Sequence, residues 1–265
     1  SCLNRKHYGK ISLIHLGSHH IYMRENLKQY LYDPDPFILF GTEHILALLL
    51  FLGLWIWLPR YAKNELSSSA QESLGRWISY FVAGTYIAWP ILEIMAGTFD
   101  AKLHLPFHLC RITNILLPFV MIYKKQIWFE LIFFWGLSGM LQASITPDIT
   151  QGFPHFHFIR FFIGHSGLVL AIMYAIVVYG LRPRVKGIWI AMIGINIVLF
   201  IAFLVNTALD SNYFWIRGKP PVPSLLDYMG PWPWYIMWSE FLALGHFIIA
   251  YSPFYFLNKR KQKNE

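Results

Sequence analysis

Residues 46–58 read LALLLFLGLWIWL, a run of consecutive side chains without a single charge. The run belongs to an apolar window at about residues 37–58, which is long enough to cross a hydrocarbon core of roughly 30 Å as a helix. Lipid offers no partners to backbone N–H and C=O groups, so a spanning segment must satisfy them internally. This stretch therefore predicts a transmembrane helix.

The composition of the whole chain agrees with a membrane protein. Of 265 residues, 56% are hydrophobic and only 14% are charged, and the mean hydropathy is +0.43. A soluble domain of this size needs more charge to cover its surface. The net charge of +8 resides in short loops and tails, which is typical of membrane topology and excludes nucleic acid as the expected partner. Cys2 and Cys110 are not expected to form a disulfide.

Seven apolar windows of spanning length predict an all-α, polytopic bundle of seven transmembrane helices between residues 37 and 257. A tail at 1–36 precedes the bundle, and its segment 19–32 reads either as a helix lying on the membrane surface or as a mobile tail. A basic tail at 258–265 follows. The windows are about 37–58, 77–96, 105–123, 127–145, 158–180, 188–208 and 234–257.

The distribution of lysine and arginine predicts the orientation. Twelve of these residues lie on the side of the C-terminus, and eight lie on the other side, most of them in the N-terminal tail. Because positive charge is enriched in cytoplasmic loops, we expect a cytoplasmic C-terminus and an external N-terminus in the cell membrane. Oligomeric state is not predicted.

The polar residues of the predicted spans sort by depth. Those expected in the outer half include Glu43, His44, Glu93, His108, Cys110, Arg111, Asn114, Arg160, His165, Asn206 and Glu240. The inner halves read like GLVLAIMYAIVVYG at 167–180. Intramembrane ionisable groups are costly and indicate function. We expect one polar cavity that opens outward, whereas a through-channel would need polar residues across the full depth.

Cys110 and His165 are the predicted catalytic pair. Cys110 lies about 8 Å below the membrane boundary at 1.5 Å per residue, in the first turns of a helix and beside Arg111, where a thiolate is favoured. His165 has a similar predicted depth in another span. A Cys and a His on two helices form the minimal unit for acyl transfer through a thioester. The alternative is that Cys110 is a small apolar filler.

Further side chains are expected to bind or support a substrate. Asn114 or Asn206 would polarise an ester carbonyl, Glu93 or Glu43 would orient His165, and Arg217 with Lys219 would hold a lipid phosphate. The predicted supporting set is His108, Arg111, Asn114, Arg160, Asn206, Asn212, Tyr213 and Lys219.

Histidine spacing raises a competing interpretation as a metal site. His104 and His108 are four residues apart, and His155 and His157 occupy the next outer loop before His165. The chain contains neither an HExxH motif nor the Cys and His spacing of a zinc finger. We therefore predict no metal and no cofactor.

Four segments together carry a resemblance to a known family: LPFHLCRI at 105–112, QASITPD at 142–148, FIRFFIGHSG at 158–167 and NYFWIRGKPPVPSLLDYMGPWPWYI at 212–236. From about residue 37 to 257 the chain resembles the bacterial YwaF family of integral membrane proteins. That family is similar to an animal transmembrane acyltransferase that remodels ether phospholipids. It is more distantly similar to the androgen-induced hydrolases of lipid esters.

The resemblance implies roles for two residues. In the acyltransferase a Cys is the nucleophile and a His lies on a later helix, which places these roles on Cys110 and His165. The distant hydrolases use Thr with His instead. We expect a membrane-embedded lipid acyltransferase or lipid-ester hydrolase that works on phospholipids at the outer leaflet through a Cys thioester. The alternative is a non-catalytic protein that binds or transports a lipid or small molecule.

Overall fold

The computed structural model describes residues 21–33, 36–221 and 224–264. Within these ranges the protein is all-helical and contains no strand beyond one isolated bridge between Pro36 and Gln151. The helices are α1 (residues 21–32), α2 (Thr42–Glu65), α3 (Ser68–Ala96), α4 (Leu109–Tyr123), α5 (Gln126–Trp135), α6 (Leu141–Ile145), α7 (Phe156–Val177), α8 (Val185–Leu209) and α9 (Trp234–Asn264).

Helices α5 and α6 form one uninterrupted helical run. A π-helical turn at Gly136–Met140 joins them, and residues 126–145 are helical throughout. Twenty residues at 1.5 Å each extend about 30 Å. The run therefore has the length of a membrane span, although its local geometry changes at the π turn.

Every predicted apolar window coincides with a helical segment, but the windows differ in how clearly they span. Five helices are long and apolar enough to cross a membrane: α2, α3, α7, α8 and residues Trp234–Arg260 of α9. Helix α4 is apolar but has only 15 residues. The sequence prediction of seven spans is thus clear for five of them.

Helix α7 lies at the centre of the bundle. Of its most apolar stretch, 72% is buried inside the protein, against 6–28% for the other four long helices. Leu168, Ala171 and Ile172 of α7 have no exposed surface. The remaining long helices present large apolar side chains outward, as Ile193 and Phe200 of α8 do. A helix that is apolar all round, with neighbours on most sides, is expected to occupy the core.

Helix α1 packs on one end of the bundle. Leu31 is completely buried, the Tyr32 hydroxyl donates to the Glu93 carboxylate at 3.0 Å, and the Arg24 guanidinium donates to the Ala96 carbonyl at 3.2 Å. Of the predicted segment 19–32, residues 19 and 20 lie outside the described ranges. Residues 21–32 form a helix that is fastened to the protein, which argues against a mobile tail.

The two ends of the bundle differ in chemistry. We call them the Cys110 end, where α4 begins, and the Lys124 end, where α4 ends. At the Lys124 end, Glu130 is fully buried and forms a two-pronged ion pair with Arg184, with N–O distances of 2.7 and 2.9 Å. Gln126 donates to the same carboxylate at 2.9 Å. The sequence prediction of uniformly apolar inner halves was wrong at Glu130, because a fixed guanidinium makes burial of this carboxylate tolerable.

Removal of the Arg184 side chain should destabilise the protein. Arg184→Ala leaves the buried Glu130 carboxylate without its cation, and a loss of about 1–3 kcal/mol is expected for an unsatisfied buried charge. The double variant Glu130→Gln/Arg184→Ala should recover part of this loss, because it removes the uncompensated charge. Thermal melts in detergent measure both. Arg60→Ala is the control, since the exposed Arg60 side chain bonds the Ile56 carbonyl of its own helix. Equal melting of Arg184→Ala and the control would contradict the expectation.

Candidate functional site

Helices α3, α4 and α7 bring the candidate site together at the Cys110 end. Helix α3 presents Tyr86, Trp89 and Glu93, which lie three or four residues apart and so share one helix face. Helix α4 contributes Cys110 and Arg111 from its first turn. Helix α7 contributes Arg160 and His165. Cys110, Arg111, Arg160 and His165 belong to the predicted catalytic and supporting residues, and Glu93 was predicted to orient His165. Tyr86 and Trp89 were not predicted.

Tyr86 lies between the helices that carry the predicted catalytic pair. Its hydroxyl is 3.4 Å from His165 Nδ1, and it is near enough to the Cys110 thiol for the two groups to influence each other electrostatically. No direct hydrogen bond joins Cys110 to His165 in the described part of the chain. Sequence reasoning missed Tyr86, because it lies well inside an apolar span and a tyrosine there is ordinarily a packing residue.

A glycine on α7 makes this position of Tyr86 available. A Cβ atom on Gly164 would lie 2.2 Å from Tyr86 Cε2 and 2.9 Å from the Tyr86 hydroxyl. No real Cβ approaches another atom so closely, so the ring occupies space that only glycine leaves open. The signal in the sequence is the glycine directly before His165.

The backbone of α7 orients His165. The Phe161 carbonyl lies 2.9 Å from His165 Nδ1, and the Phe161 ring stacks on the imidazole at 4.0 Å between centroids. A carbonyl can only accept, so this contact assigns the proton to Nδ1 and leaves the lone pair on Nε2. The prediction that Glu93 or Glu43 orients His165 was wrong. The Glu43 carboxylate accepts from the Phe153 backbone N–H at 2.8 Å instead.

Glu93 is the centre of a separate buried network. Its carboxylate accepts from Thr98 Oγ1 at 2.6 Å and from Trp89 Nε1 at 2.8 Å, in addition to Tyr32. His104 Nε2 lies 3.7 Å from the same carboxylate. Burial lowers the pKa of His104, although the negative charge of Glu93 acts in the opposite direction. Three donors therefore satisfy the charge of Glu93 and tie α1, α3 and the following loop together.

Two arginines share one aromatic ring. The Arg111 and Arg160 guanidinium carbons lie 4.3 and 4.1 Å from the centre of the Trp89 ring. Each contact is a cation–π interaction. Trp89 donates its own N–H to Glu93, which fixes the ring. Arg160 also lies 5.5 Å from the Tyr86 ring centre, and the supporting role of Arg111 and Arg160 towards a substrate stays a prediction.

The two candidate asparagines differ in what they bond. Asn114 is completely buried, donates to the Cys110 carbonyl at 2.8 Å, and has an amide oxygen without a hydrogen-bond partner. The Asn206 amide oxygen accepts from Ser211 Oγ and the Tyr213 N–H, and its nitrogen donates one hydrogen bond to the Tyr213 carbonyl. These bonds hold the loop after α8, and the role of Asn206 in polarising a substrate carbonyl stays a prediction.

Residues of the loop after α8 stabilise that loop. Asn212 bonds the Arg217 N–H and the Gly218 carbonyl. The Tyr213 hydroxyl donates to the Ala101 carbonyl at 2.6 Å. His108 Nδ1 accepts from the Phe214 N–H at 3.3 Å. These three predicted substrate ligands join the loops that surround the Cys110 end.

The predicted phosphate pair of Arg217 and Lys219 already has carboxylate partners. Arg217 lies 2.9 Å from Asp210 and Lys219 lies 3.9 Å from Asp227. Arg217, followed by Lys102, holds the pKa of Asp210 below its ordinary value. Both cations thus have partners within their own loop, and their binding of a lipid phosphate stays a prediction.

Comparison with known proteins identifies the family. The family model of the TMEM164 family matches residues 39–251. The chain belongs to the TMEM164 family. An uncharacterized protein from Treponema pallidum (strain Nichols) is 24% identical over 191 residues, covering 71% of this chain and 78% of the relative. No solved structure matches. Together with its apolar helices, membership of the TMEM164 family makes the chain an integral membrane protein.

The described histidines of this TMEM164-family chain have other partners. His104 faces Glu93, His155 Nε2 bonds the Tyr30 carbonyl at 2.6 Å, and His165 lies on Phe161. The rings of His155 and His157 lie 5.2 Å apart. Within residues 21–33, 36–221 and 224–264, no three His, Cys, Asp or Glu side chains converge as metal ligands.

Gly164→Ala should destabilise the protein and displace Tyr86. The added methyl group would overlap the Tyr86 ring, and overpacking of this kind costs about 1–3 kcal/mol. Gly84→Ala on α3 is the matched control, because its Cβ would meet nothing within 4 Å, and Gly→Ala in an open helix position stabilises by about 0.4–1 kcal/mol. Thermal melts of both variants in detergent should move in opposite directions. A Gly164→Ala variant as stable as the control would contradict the close contact.

Proposed function

We propose that this protein is a membrane-embedded enzyme that transfers or hydrolyses the acyl groups of phospholipids. Cys110 acts as the nucleophile and His165 as the base. The observation that carries the proposal is the position of the Tyr86 hydroxyl, which lies 3.4 Å from His165 Nδ1 and near enough to the Cys110 thiol to influence it electrostatically. A half-buried thiol, a hydroxyl and an imidazole at one end of an apolar bundle form an unusual set, and such groups are expected to serve function.

The proposed reaction has two steps. The Cys110 sulfur attacks the ester carbonyl of a phospholipid, and its proton passes to His165. The ester C–O bond breaks, the acyl group remains on sulfur as a thioester, and His165 returns the proton to the departing alcohol oxygen. A lysolipid hydroxyl or water then attacks the thioester carbonyl and gives its proton to His165. The C–S bond breaks, and His165 returns the proton to the Cys110 sulfur, which restores the thiol.

Two polar groups support these steps. The Tyr86 hydroxyl holds the thiol and donates a hydrogen bond to the negative charge that develops near it. Asn114 lies one helical turn after Cys110 and carries the unpartnered amide oxygen, which suits a substrate hydroxyl as donor. His165 Nε2 carries the lone pair that the base requires, because the Phe161 carbonyl occupies Nδ1.

Variants of Cys110 test the nucleophile. Cys110→Ala and Cys110→Ser should both lose acyl transfer by orders of magnitude, because almost no serine hydroxyl is ionised at neutral pH. Their melting temperatures should remain close to wild type, since the lost group is small and costs about 1 kcal/mol. Turnover of a labelled phospholipid with a lysolipid acceptor is measured, and mass spectrometry looks for a hydroxylamine-labile adduct on Cys110. Full turnover by Cys110→Ala would leave a non-catalytic lipid-binding or transport protein as the better reading.

Variants of His165 and Tyr86 test the base and the connecting hydroxyl. His165→Gln should reduce turnover about 10²–10⁴-fold, as loss of a general base does. Tyr86→Phe keeps the ring against Gly164 and should reduce turnover about 10–100-fold, which corresponds to one lost hydrogen bond to a charged group. His246→Gln on α9 is the control and should retain turnover. Unchanged rates for both site variants would remove His165 and Tyr86 from the mechanism.

For the topology we propose seven spans in the cell membrane, with an external N-terminus and a cytoplasmic C-terminus. The described helices support this, because the uninterrupted run 126–145 and the apolar α4 add two candidates to the five clear ones. The proposed divisions are the tail 1–36, the transmembrane domain 37–257 and the basic tail 258–265. Phospholipids are the proposed partners.

Reporter fusions test the topology. Green fluorescent protein attached after residue 265 or between Lys124 and Lys125 should fluoresce, and alkaline phosphatase at the same sites should be inactive. At position 101, in the loop after α3, the two reporters should give the opposite results. Active phosphatase between Lys124 and Lys125 together with active phosphatase at position 101 would show that α4, the helix between these sites, does not cross the membrane.

A further inference from the structure

Among the described residues, the Arg160 guanidinium forms no ion pair with a carboxylate. Its Nε is buried and has no hydrogen-bond partner. No carboxylate lies within 4.0 Å of it in the described residues, although other arginines of the bundle are paired, as Arg184 is with Glu130 and Arg217 with Asp210. A buried cation without a paired anion is costly. Its contacts are instead the faces of Trp89 and Tyr86.

Arg111 places a second positive charge beside the first. One of its nitrogens donates to the Leu103 and Leu105 carbonyls at 2.6 and 2.7 Å. These bonds fix the guanidinium over Trp89. Two like charges at one ring repel each other, and an anion between or beside them relieves this repulsion.

Glu93 and Asp148 are the carboxylates that influence Arg160 electrostatically, and neither of them pairs with its guanidinium. Three hydrogen bonds and His104 already engage Glu93. Asp148 is close enough to influence Arg160 electrostatically, but it is exposed and forms no ion pair with it. The planar donors of Arg160 therefore remain available to a ligand.

We propose that Arg160, assisted by Arg111, binds the phosphate group of a membrane phospholipid. A guanidinium presents several N–H donors in a plane, and this arrangement matches phosphate oxygens and is strengthened by charge. The role of binding a lipid phosphate, which the sequence suggested for Arg217 and Lys219, is thus proposed for Arg160 and Arg111 inside the bundle. Binding of a phosphate at Arg160 does not require Cys110 to be catalytic.

The position of this phosphate specifies the substrate of the proposed enzyme, and this step rests on the proposed function. The Arg160 guanidinium lies 5.5 Å from the centre of the Tyr86 ring, and both groups are near enough to the Cys110 thiol to influence it electrostatically. In a glycerophospholipid the phosphate and the acyl esters are attached to one glycerol unit. Phosphate bound at Arg160 therefore places an ester near Cys110, and the substrate class becomes phosphate-bearing glycerolipids, with neutral diacylglycerols excluded.

Lipid binding measured by native mass spectrometry in detergent tests the proposal. Three probes are used: dioleoylphosphatidylglycerol, dioleoylglycerol with the same chains, and inorganic phosphate. The wild type and Cys110→Ser should bind the phospholipid at least about tenfold more tightly than dioleoylglycerol. Arg160→Gln should lose this preference, Arg160→Lys should retain part of it through charge alone, and the exposed control Arg60→Gln should behave as wild type. Thermal melts confirm that each variant is folded.

The outcomes separate the two proposals. Retained preference in Cys110→Ser and its loss in Arg160→Gln support the phosphate site whether or not Cys110 is catalytic. If the wild type binds the phospholipid in preference to dioleoylglycerol but shows no turnover, the enzyme proposal is overturned and the phosphate site is retained. The phosphate site is overturned if Arg160→Gln keeps the full preference, or if dioleoylglycerol binds as tightly as the phospholipid. Inorganic phosphate binding as tightly as the phospholipid would assign the site to free phosphate and overturn the lipid as its source.

Discussion

The contact between the Tyr86 ring and the backbone of Gly164 determines how the site is built. Without a side chain on Gly164, helix α3 approaches α7 closely enough for the Tyr86 hydroxyl to pass between the helices. That hydroxyl lies 3.4 Å from His165 Nδ1 and near enough to the Cys110 thiol to influence it electrostatically. Small residues allow close helix approach in membranes, where little else drives helices together. Here the close approach also places three polar groups in one position.

The balance of charge is the second constraint, and it differs between the two ends of the bundle. At the Lys124 end, the buried carboxylate of Glu130 has a matched guanidinium and an amide donor, so the charge is satisfied within the protein. At the Cys110 end, Glu93 is satisfied but Arg160 is not. A satisfied ion pair stabilises a fold. A cation among aromatic rings that has no paired carboxylate can bind an anion, which is why we propose the phosphate site there.

The loops and α1 serve this arrangement from outside. Tyr32 reaches Glu93 from α1, and Tyr213 joins the loop after α8 to the loop after α3. Asn206 holds the backbone of Tyr213 through both its amide oxygen and its amide nitrogen. These contacts explain why so many polar residues sit at one end without all of them being substrate ligands. Backbone groups in loops need partners as much as a ligand does, and several candidate residues meet that need.

The sequence by itself determined the all-helical class, the positions of the helical segments and the concentration of polar chemistry near Cys110. Apolar length and local composition carry that information, because each helix satisfies its own backbone within its own segment. Only the tertiary structure decided which polar groups meet. Tyr86 and His165 are 79 positions apart, and Glu93 and Tyr32 are 61 apart. Such pairs depend on how closely helices pack, and a hydropathy pattern records the depth of a residue but not its neighbour on another helix.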